Sequence, residues 1–266
     1  MPRVDVCLEA IFDTVPLVER AKRVMDAGFD AVEFWFYDFD CVTKDTERNL
    51  AEFGKFCADN GILINNGVVN SPDASIGGSL LDPDDRPKYL QRLRDTIKVC
   101  KDINCHAAIT CTGNELPNVP REQQKKCVID TLKAAAEIAE AENFTLYLEA
   151  LNTLVDHEGY FLDSAEEGAE IIKAVGSPRV KLLFDVYHMQ IMGGNIVARI
   201  EKHVDVIGHF HSAGVPGRHD LDIGELDYRN ILKAIDALGY KGLFGLEYWP
   251  EGDETESLKR MRALTR

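Results

Sequence analysis

The chain has 266 residues, 45 of them acidic and 30 basic, for a formal net charge of -15 at pH 7. That balance opposes non-specific association with nucleic acid or an anionic membrane surface and suits a small neutral or metal-chelated partner. A hydrophobic share of 45% is enough for a full core, and no stretch nears the roughly 18 apolar residues of a membrane span.

Seven cysteines, at positions 7, 41, 57, 100, 105, 111 and 127, show no CxxC spacing and an odd total. They are expected to be reduced thiols that pack as small apolar groups. The start MPRVDVCLEA lacks the apolar segment of a secretory signal. A cytoplasmic protein is the expectation.

In chain order, VDVCLEAIF opens as a strand. A helix over 16–27 follows, with Pro16 in its first turn and an apolar stripe of Leu17, Ala21, Val24 and Met25. Next come a strand over 31–35, a helix over 43–60 stopped near Gly61, and a third strand over 62–65. That strand opens into NNGVVNSPDASIGGSLLDPDD, whose Gly, Asn, Ser and Pro content predicts a long loop that covers something. A helix over 86–101, a strand over 105–110, a helix over 121–141 and a strand over 145–149 continue the alternation. Ser164 and Glu167 have capping-box spacing and begin a helix reaching Val175. The remaining strands are read over 180–185, 206–211 and 243–247, and the remaining helices over 196–203, 228–238 and 254–264.

Eight strand-helix units in 266 residues predict an α/β fold, a single (β/α)8 TIM barrel domain over 1–266. A doubly wound open sheet fits less well, because it would spread apart the polar residues that four consecutive strands carry at their ends. TLYLE ends in Glu149, KLLFD in Asp185, VIGHFH in His211 and LFGLE in Glu247. An acid at the tip of a dry strand is costly without a cation or donors. Each of the four has an ordinary reading as a cap or an ion-pair partner. Together, on strands gathered around one mouth, they make a ligand set for one divalent metal.

Three carboxylates and one imidazole suit Mn2+, Mg2+ or Co2+ with positions left open for substrate oxygens, whereas closed structural zinc recruits thiolates. A cation chelating the carbonyl and adjacent hydroxyl of a substrate would acidify a carbon-bound proton by stabilising an enediolate. Glu149 and Glu247 are then the catalytic proton carriers. That chemistry isomerises or epimerises an α-hydroxycarbonyl compound without an organic cofactor.

His188, one turn beyond Asp185, is expected to hydrogen-bond a substrate oxygen unless it is simply packed on that turn. Arg218 is read as holding a carboxylate, phosphate or hydroxyl of the substrate, or as orienting Glu247. Trp35 and Trp249 are candidates for an aromatic wall, with core packing as the alternative. Glu9 is placed at the mouth as a further substrate contact, or else as a solvated or arginine-paired carboxylate. His209 is expected to point away from His211, packing on a helix or making a supporting bond.

The chain resembles the hydroxypyruvate isomerase family within the broader xylose isomerase-like TIM barrels, which also include ketose 3-epimerases. The resemblance runs through VPLVERAKRVMDAGFDAVEF, EALN, GYFLD, FDVYHMQ, VPGRHDLDIGELDY and GYKGLFGLEYWP. It implies a metal held by Glu149, Asp185, His211 and Glu247, proton transfer by the two glutamates, and substrate contacts from His188 and Arg218. His211 stands where hydroxypyruvate isomerases often carry glutamine and ketose 3-epimerases carry histidine. The expected reaction is hydroxypyruvate to tartronate semialdehyde, with C3 epimerisation of a C4 to C6 ketose next and a metal-dependent dehydratase or lyase third. A non-catalytic sugar-binding barrel would be expected to lack one glutamate. An endonuclease of the multi-zinc type would need more histidines and a basic groove. A small hydroxycarbonyl or sugar substrate is the expected partner, with homo-oligomerisation left open.

Overall fold

In the computed structural model, which describes residues 1–40 and 48–266, strand and helix alternate as the sequence predicts. The first half runs β1 (Arg3–Cys7), α1 (Leu17–Asp26), β2 (Ala31–Glu33), α2 (Leu50–Asn60), β3 (Leu63–Ile64), β4 (Gly67–Val68), α3 (Arg86–Asp102), β5 (Ala107–Thr110) and α4 (Arg121–Ala141). The second half runs β6 (Thr145–Glu149), α5 (Ala165–Val175), β7 (Val180–Asp185), α6 (Val186–Met192), α7 (Ile196–His203), β8 (Ile207–Ser212), α8 (Tyr228–Ala237), β9 (Leu243–Leu246) and α9 (Glu254–Leu264).

The strands pair in the order β3-β2-β1-β9-β8-β7-β6-β5-β4, all parallel. The two ends of that order, β3 and β4, are separated in the chain only by Asn65 and Asn66. They are halves of one interrupted strand, the first paired with β2 and the second with β5, so the sheet closes on itself. Counting the pair as one gives the eight positions of a TIM barrel.

Side chains alternate along each strand. Leu146, Leu148, Leu182, Phe184, Phe210 and Phe244 join the large core between strands and helices. Leu183 and Tyr147 belong to a separate, smaller cluster inside the ring, with Phe36, Val68 and Ile109. Glu149, Asp185 and His211 fall on the inner set by the same period.

Three expectations change. The third strand continues past residue 65, because Asn65 N–H donates to Val32 O, Asn66 O accepts from Phe34 N–H, and Val68 N–H donates to Trp35 O at 2.9 Å. The described part of α2 begins at Leu50, where Asn49 caps the helix by accepting from Glu52 N at 3.1 Å; residues 43–47 of the expected helix lie outside the described residues, as does Cys41. The chain also turns helical directly after Asp185, whose Oδ1 accepts from Tyr187 N at 2.7 Å and His188 N at 3.2 Å. Half of the capping box forms, with Ser164 Oγ accepting from Glu167 N, while the Glu167 carboxylate accepts from Arg121 Nη2 instead.

Cys7, Cys57, Cys100, Cys105 and Cys111 are buried free thiols and Cys127 a half-buried one. Among the described residues no helix is long and apolar enough to cross a membrane.

Candidate active site

Register brings the strand-end residues together. Asp185 of β7 pairs directly with His211 of β8, after an irregularity between Leu182 and Leu183 that resets the ladder. His211 in turn pairs with Gly245 of β9, two residues before Glu247. Glu149 closes β6, one strand over from Asp185. Glu149, Asp185, His211 and Glu247 are all buried, and each offers a ligand atom within 4.8 Å of the other three.

His211 Nδ1 lies 3.5 Å from Glu149 Oε1 and 3.3 Å from Glu247 Oε2. Yet Nδ1 and Glu149 Oε1 are both buried without a hydrogen-bond partner. Two such atoms facing each other in a dry pocket fit a cation between them. The donor set, three carboxylates with one imidazole, also fits an oxygen-loving divalent metal.

Electrostatics point the same way. Burial pushes the Asp185 carboxyl up to about 7, and burial raises Glu149 as well. Glu247 is buried too, but the positive charges of Arg218 and His211 more than offset this and hold it below the usual carboxylate range. For His211, burial is outweighed by Glu33 and Glu247, which raise its proton affinity well above the usual value. A cation bound among them would offset the burial that raises Asp185 and Glu149.

Arg218 serves Glu247. Its Nη2 donates to Glu247 Oε2, and its guanidinium lies 5.0 Å from the Trp249 ring and 5.3 Å from the Tyr187 ring. Arg218 itself adopts φ 61°, held by its N–H to Gly214 O and its carbonyl to Trp249 N. A non-glycine residue in that region costs about 1–3 kcal/mol, which the surrounding loop must offset. The Nε of Arg218 remains buried without a partner.

A cavity of about 200 Å³ opens beside these groups, with Trp35, Phe36, Ile109, Glu149, His188 and Arg218 among its lining. Ser71 and Pro72 also reach it, so the long segment after β4 does form part of the cover. Trp35 is more than a wall, because its Nε1–H donates to Glu247 Oε1 at 3.0 Å. Trp249 meets it edge on, with ring centroids 6.4 Å apart. His188 is fully buried and lies along the same cavity, its Nε2 3.6 Å from Asp185 Oδ2.

Glu9 goes elsewhere. Its carboxylate accepts from Arg20 Nη1 at 3.3 Å, from Arg48 and from the Trp35 backbone N–H at 3.2 Å, inside a buried cluster that includes Asp40. It does not line the cavity, since two buried arginines outcompete the mouth for it. The alternative reading of an arginine-paired carboxylate is the one the structure takes.

His209 shares the inner face with His211, because residues two apart on a strand point the same way, and the expectation of opposite faces is corrected. Its ring lies 5.0 Å from that of His211 and stacks at 5.4 Å on Tyr147. The supporting bond expected of it exists, to Glu33 Oε2 at 3.0 Å.

Four residues escape the sequence reading. Glu33 Oε1 stands 2.9 Å from His211 Nε2; it ends β2 as the other acids end theirs, but apolar Phe34 and Trp35 hide that boundary. Gly245 leaves room for His211, since a Cβ there would sit 2.8 Å from the ring's Cδ2. Asn152 donates from Nδ2 toward His188 Nδ1 at 2.7 Å. His157, from the loop after β6, lines the cavity 5.4 Å from the His188 ring.

Comparison with known proteins agrees with this architecture. The model of the xylose isomerase-like TIM barrel family matches residues 21–264. A Danio rerio protein named "Putative hydroxypyruvate isomerase" is 30% identical over 258 residues, 93% of this chain and 90% of that one. A 2-oxo-tetronate isomerase of Cupriavidus necator is 29% identical over 260 residues, 97% of this chain and 96% of that one. Among solved structures, one described as an AP endonuclease of family 2 from Brucella melitensis has a TM-score of 0.88 at 27% identity, covering 99% of each chain. The barrel topology, the strand-end residues and these matches together establish that the chain belongs to the xylose isomerase-like TIM barrel family.

Proposed function

We propose that the protein is a divalent-metal-dependent isomerase of a short 2-oxo acid bearing a neighbouring hydroxyl, and that it converts hydroxypyruvate to tartronate semialdehyde. The observation that carries this reading is the convergence of Glu149, Asp185, His211 and Glu247 within 4.8 Å beside an arginine-containing cavity. Relatives named for hydroxypyruvate and 2-oxo-tetronate support the acid class. The size of the cavity, about 200 Å³, and its apolar lining by Trp35, Phe36, Val68, Pro72, Ile109 and Leu151 favour a three- or four-carbon acid over a polyol tail that needs hydroxyl partners.

A divalent cation held by Glu149, Asp185, His211 and Glu247, taken as Mn2+, Mg2+ or Co2+, supplies Lewis-acid stabilisation of charge on adjacent substrate oxygens. The chain's own residues supply the proton traffic. The reaction removes a proton from C3 of hydroxypyruvate and returns one to C2, while the hydroxyl proton on the C3 oxygen passes to the C2 oxygen. Glu149 is the first base, because burial raises its proton affinity and neither Trp35 nor Arg218 hydrogen-bonds its carboxylate. Glu247 is less basic, tied by Trp35 and Arg218, and holds its geometry through the step. Arg218 Nε and His188 Nε2 are the donors left over for the substrate's oxygens.

The test is turnover with a panel of hydroxypyruvate, C4 2-oxo acids and C4 to C6 ketoses, before and after chelation. The reading expects an aldehyde product from hydroxypyruvate, lost on chelation and restored by Mn2+, Co2+ or Mg2+. Selective C3 epimerisation of a ketose with hydroxypyruvate inert would replace the substrate assignment, and full activity after metal removal would remove the mechanism.

A further inference from the structure

His188 sits in the cavity wall with a fixed proton, and the residue that fixes it is Asn152. The orientation of the Asn152 amide follows from its partners. Its Oδ1 accepts from the backbone N–H groups of Val155 and Asp156, each at 3.0 Å. That leaves Nδ2 as the donor end, with its two hydrogens directed to Asp156 Oδ2 at 2.6 Å and His188 Nδ1 at 2.7 Å. The backbone N–H of Asn152 adds a second donor to the same ring nitrogen at 3.1 Å. Asp156 is held in turn by the Tyr187 hydroxyl, which donates to its Oδ2 at 2.9 Å.

An imidazole nitrogen facing two donors has to carry a lone pair, so the ring's proton is on Nε2. That Nε2 is buried, without a hydrogen-bond partner, on the wall that Glu149 and Arg218 share. We propose that Asn152 is a positioning residue that holds His188 as the neutral Nε2–H tautomer, so that the ring meets the substrate as a hydrogen-bond donor and cannot act as a base. The site then separates its roles: carboxylates move protons, and His188 donates to the oxygen on which charge develops. A neutral imidazole donor of this kind stabilises an oxyanion without adding a further cation beside Arg218. The catalytic half of the inference rests on the isomerase reading, whereas the tautomer half stands on the protein alone.

The experiment is ¹⁵N NMR of the histidine ring nitrogens in the full-length protein, with His188 assigned by its disappearance in His188→Gln. The wild type is expected to show Nδ1 unprotonated and Nε2 protonated. Asn152→Asp, combined with Asp156→Asn to keep a donor between the two positions, places a carboxylate against Nδ1 and is expected to move the proton there. Asp156→Asn alone keeps the Nε2–H form. With the substrate identified by the panel, kcat of the double variant is expected to fall by about 10²–10³, the loss typical of one oxyanion donor, with KM changing far less. A wild-type spectrum with Nδ1 protonated, or a double variant whose tautomer is unmoved, overturns the positioning role. A shifted tautomer with wild-type kcat overturns the catalytic one. Inactivity toward hydroxypyruvate bears on the substrate assignment and leaves the spectra to decide the tautomer.

Discussion

Glu33 Oε1 lies 2.9 Å from His211 Nε2, on the edge of the ring away from Glu149 and Glu247. A carboxylate there attracts the Nε2 edge by charge and leaves Nδ1 toward the three acidic residues, and a carboxylate behind a metal-binding histidine raises its basicity. Glu33→Gln is predicted to weaken Mn2+ binding by about 10–100-fold. Competition titration against a coloured chelator measures it, and an unchanged affinity would show that Glu33 only fills the barrel floor.

Gly245 carries a second prediction for the same histidine. A Cβ there would lie 2.8 Å from His211 Cδ2, closer than real Cβ atoms come, and 3.0 Å from Phe210 O, which is tight. Gly245→Ala is therefore expected to displace the His211 ring and cost about 1–3 kcal/mol of stability by overpacking. Thermal unfolding and Mn2+ titration should both register the loss. A variant with wild-type values in both would mean that the ring and strand yield freely.

The barrel floor should leave a mark on the pH dependence of stability. Burial, with the Glu33 charge beside it, raises the Asp5 carboxyl from its ordinary value of 3.8 to about 7. A raised folded value means the native state binds more protons, so this group's contribution is full below pH 3.8 and is lost as pH rises through about 7. Asp5→Asn keeps an acceptor for Asn65, which donates to Asp5 Oδ2 at 2.7 Å. The variant's gain over wild type should be larger at pH 8 than at pH 5, by about 1.4 kcal/mol per unit of pH crossed and hence several degrees in Tm. Calorimetry at the two pH values decides it; an equal difference at both would place the titration elsewhere.

Cation binding should also be visible without substrate. A ligand at 100 times its Kd stabilises the native state by about 2.7 kcal/mol. Chelator-treated protein is predicted to melt at a higher temperature once Mn2+ is added, and Asp185→Asn to lose most of that response. A melting point indifferent to Mn2+ in the wild type would argue against the four-residue site.

Much of this was legible because the strand tips announce themselves. Apolar runs ending in Glu149, Asp185, His211 and Glu247 could be placed around one mouth once the eight-fold alternation was counted. What stayed hidden depended on pairing register and on side-chain reach. Glu33 is masked by the aromatic residues that extend its apolar run, and Glu9 is drawn to Arg20 and Arg48, a pairing between distant positions that no local pattern reveals. Asn152 looks like an ordinary loop residue until the amide's four hydrogen bonds are traced. His209, by contrast, is legible: the two-residue period alone puts it beside His211.

The central claim is that Glu149 takes a carbon-bound proton from a 2-oxo acid at the metal site. It is tested most directly by NMR of hydroxypyruvate incubated in deuterated water with the Mn2+-loaded protein. The account predicts deuterium in recovered hydroxypyruvate at C3 and in tartronate semialdehyde at C2, with Glu149→Gln reducing both by about 10²–10⁴ at Mn2+ concentrations that saturate its weakened site. Product formed at the wild-type rate by Glu149→Gln, or no exchange into hydroxypyruvate or any ketose or oxo acid tried, would contradict it.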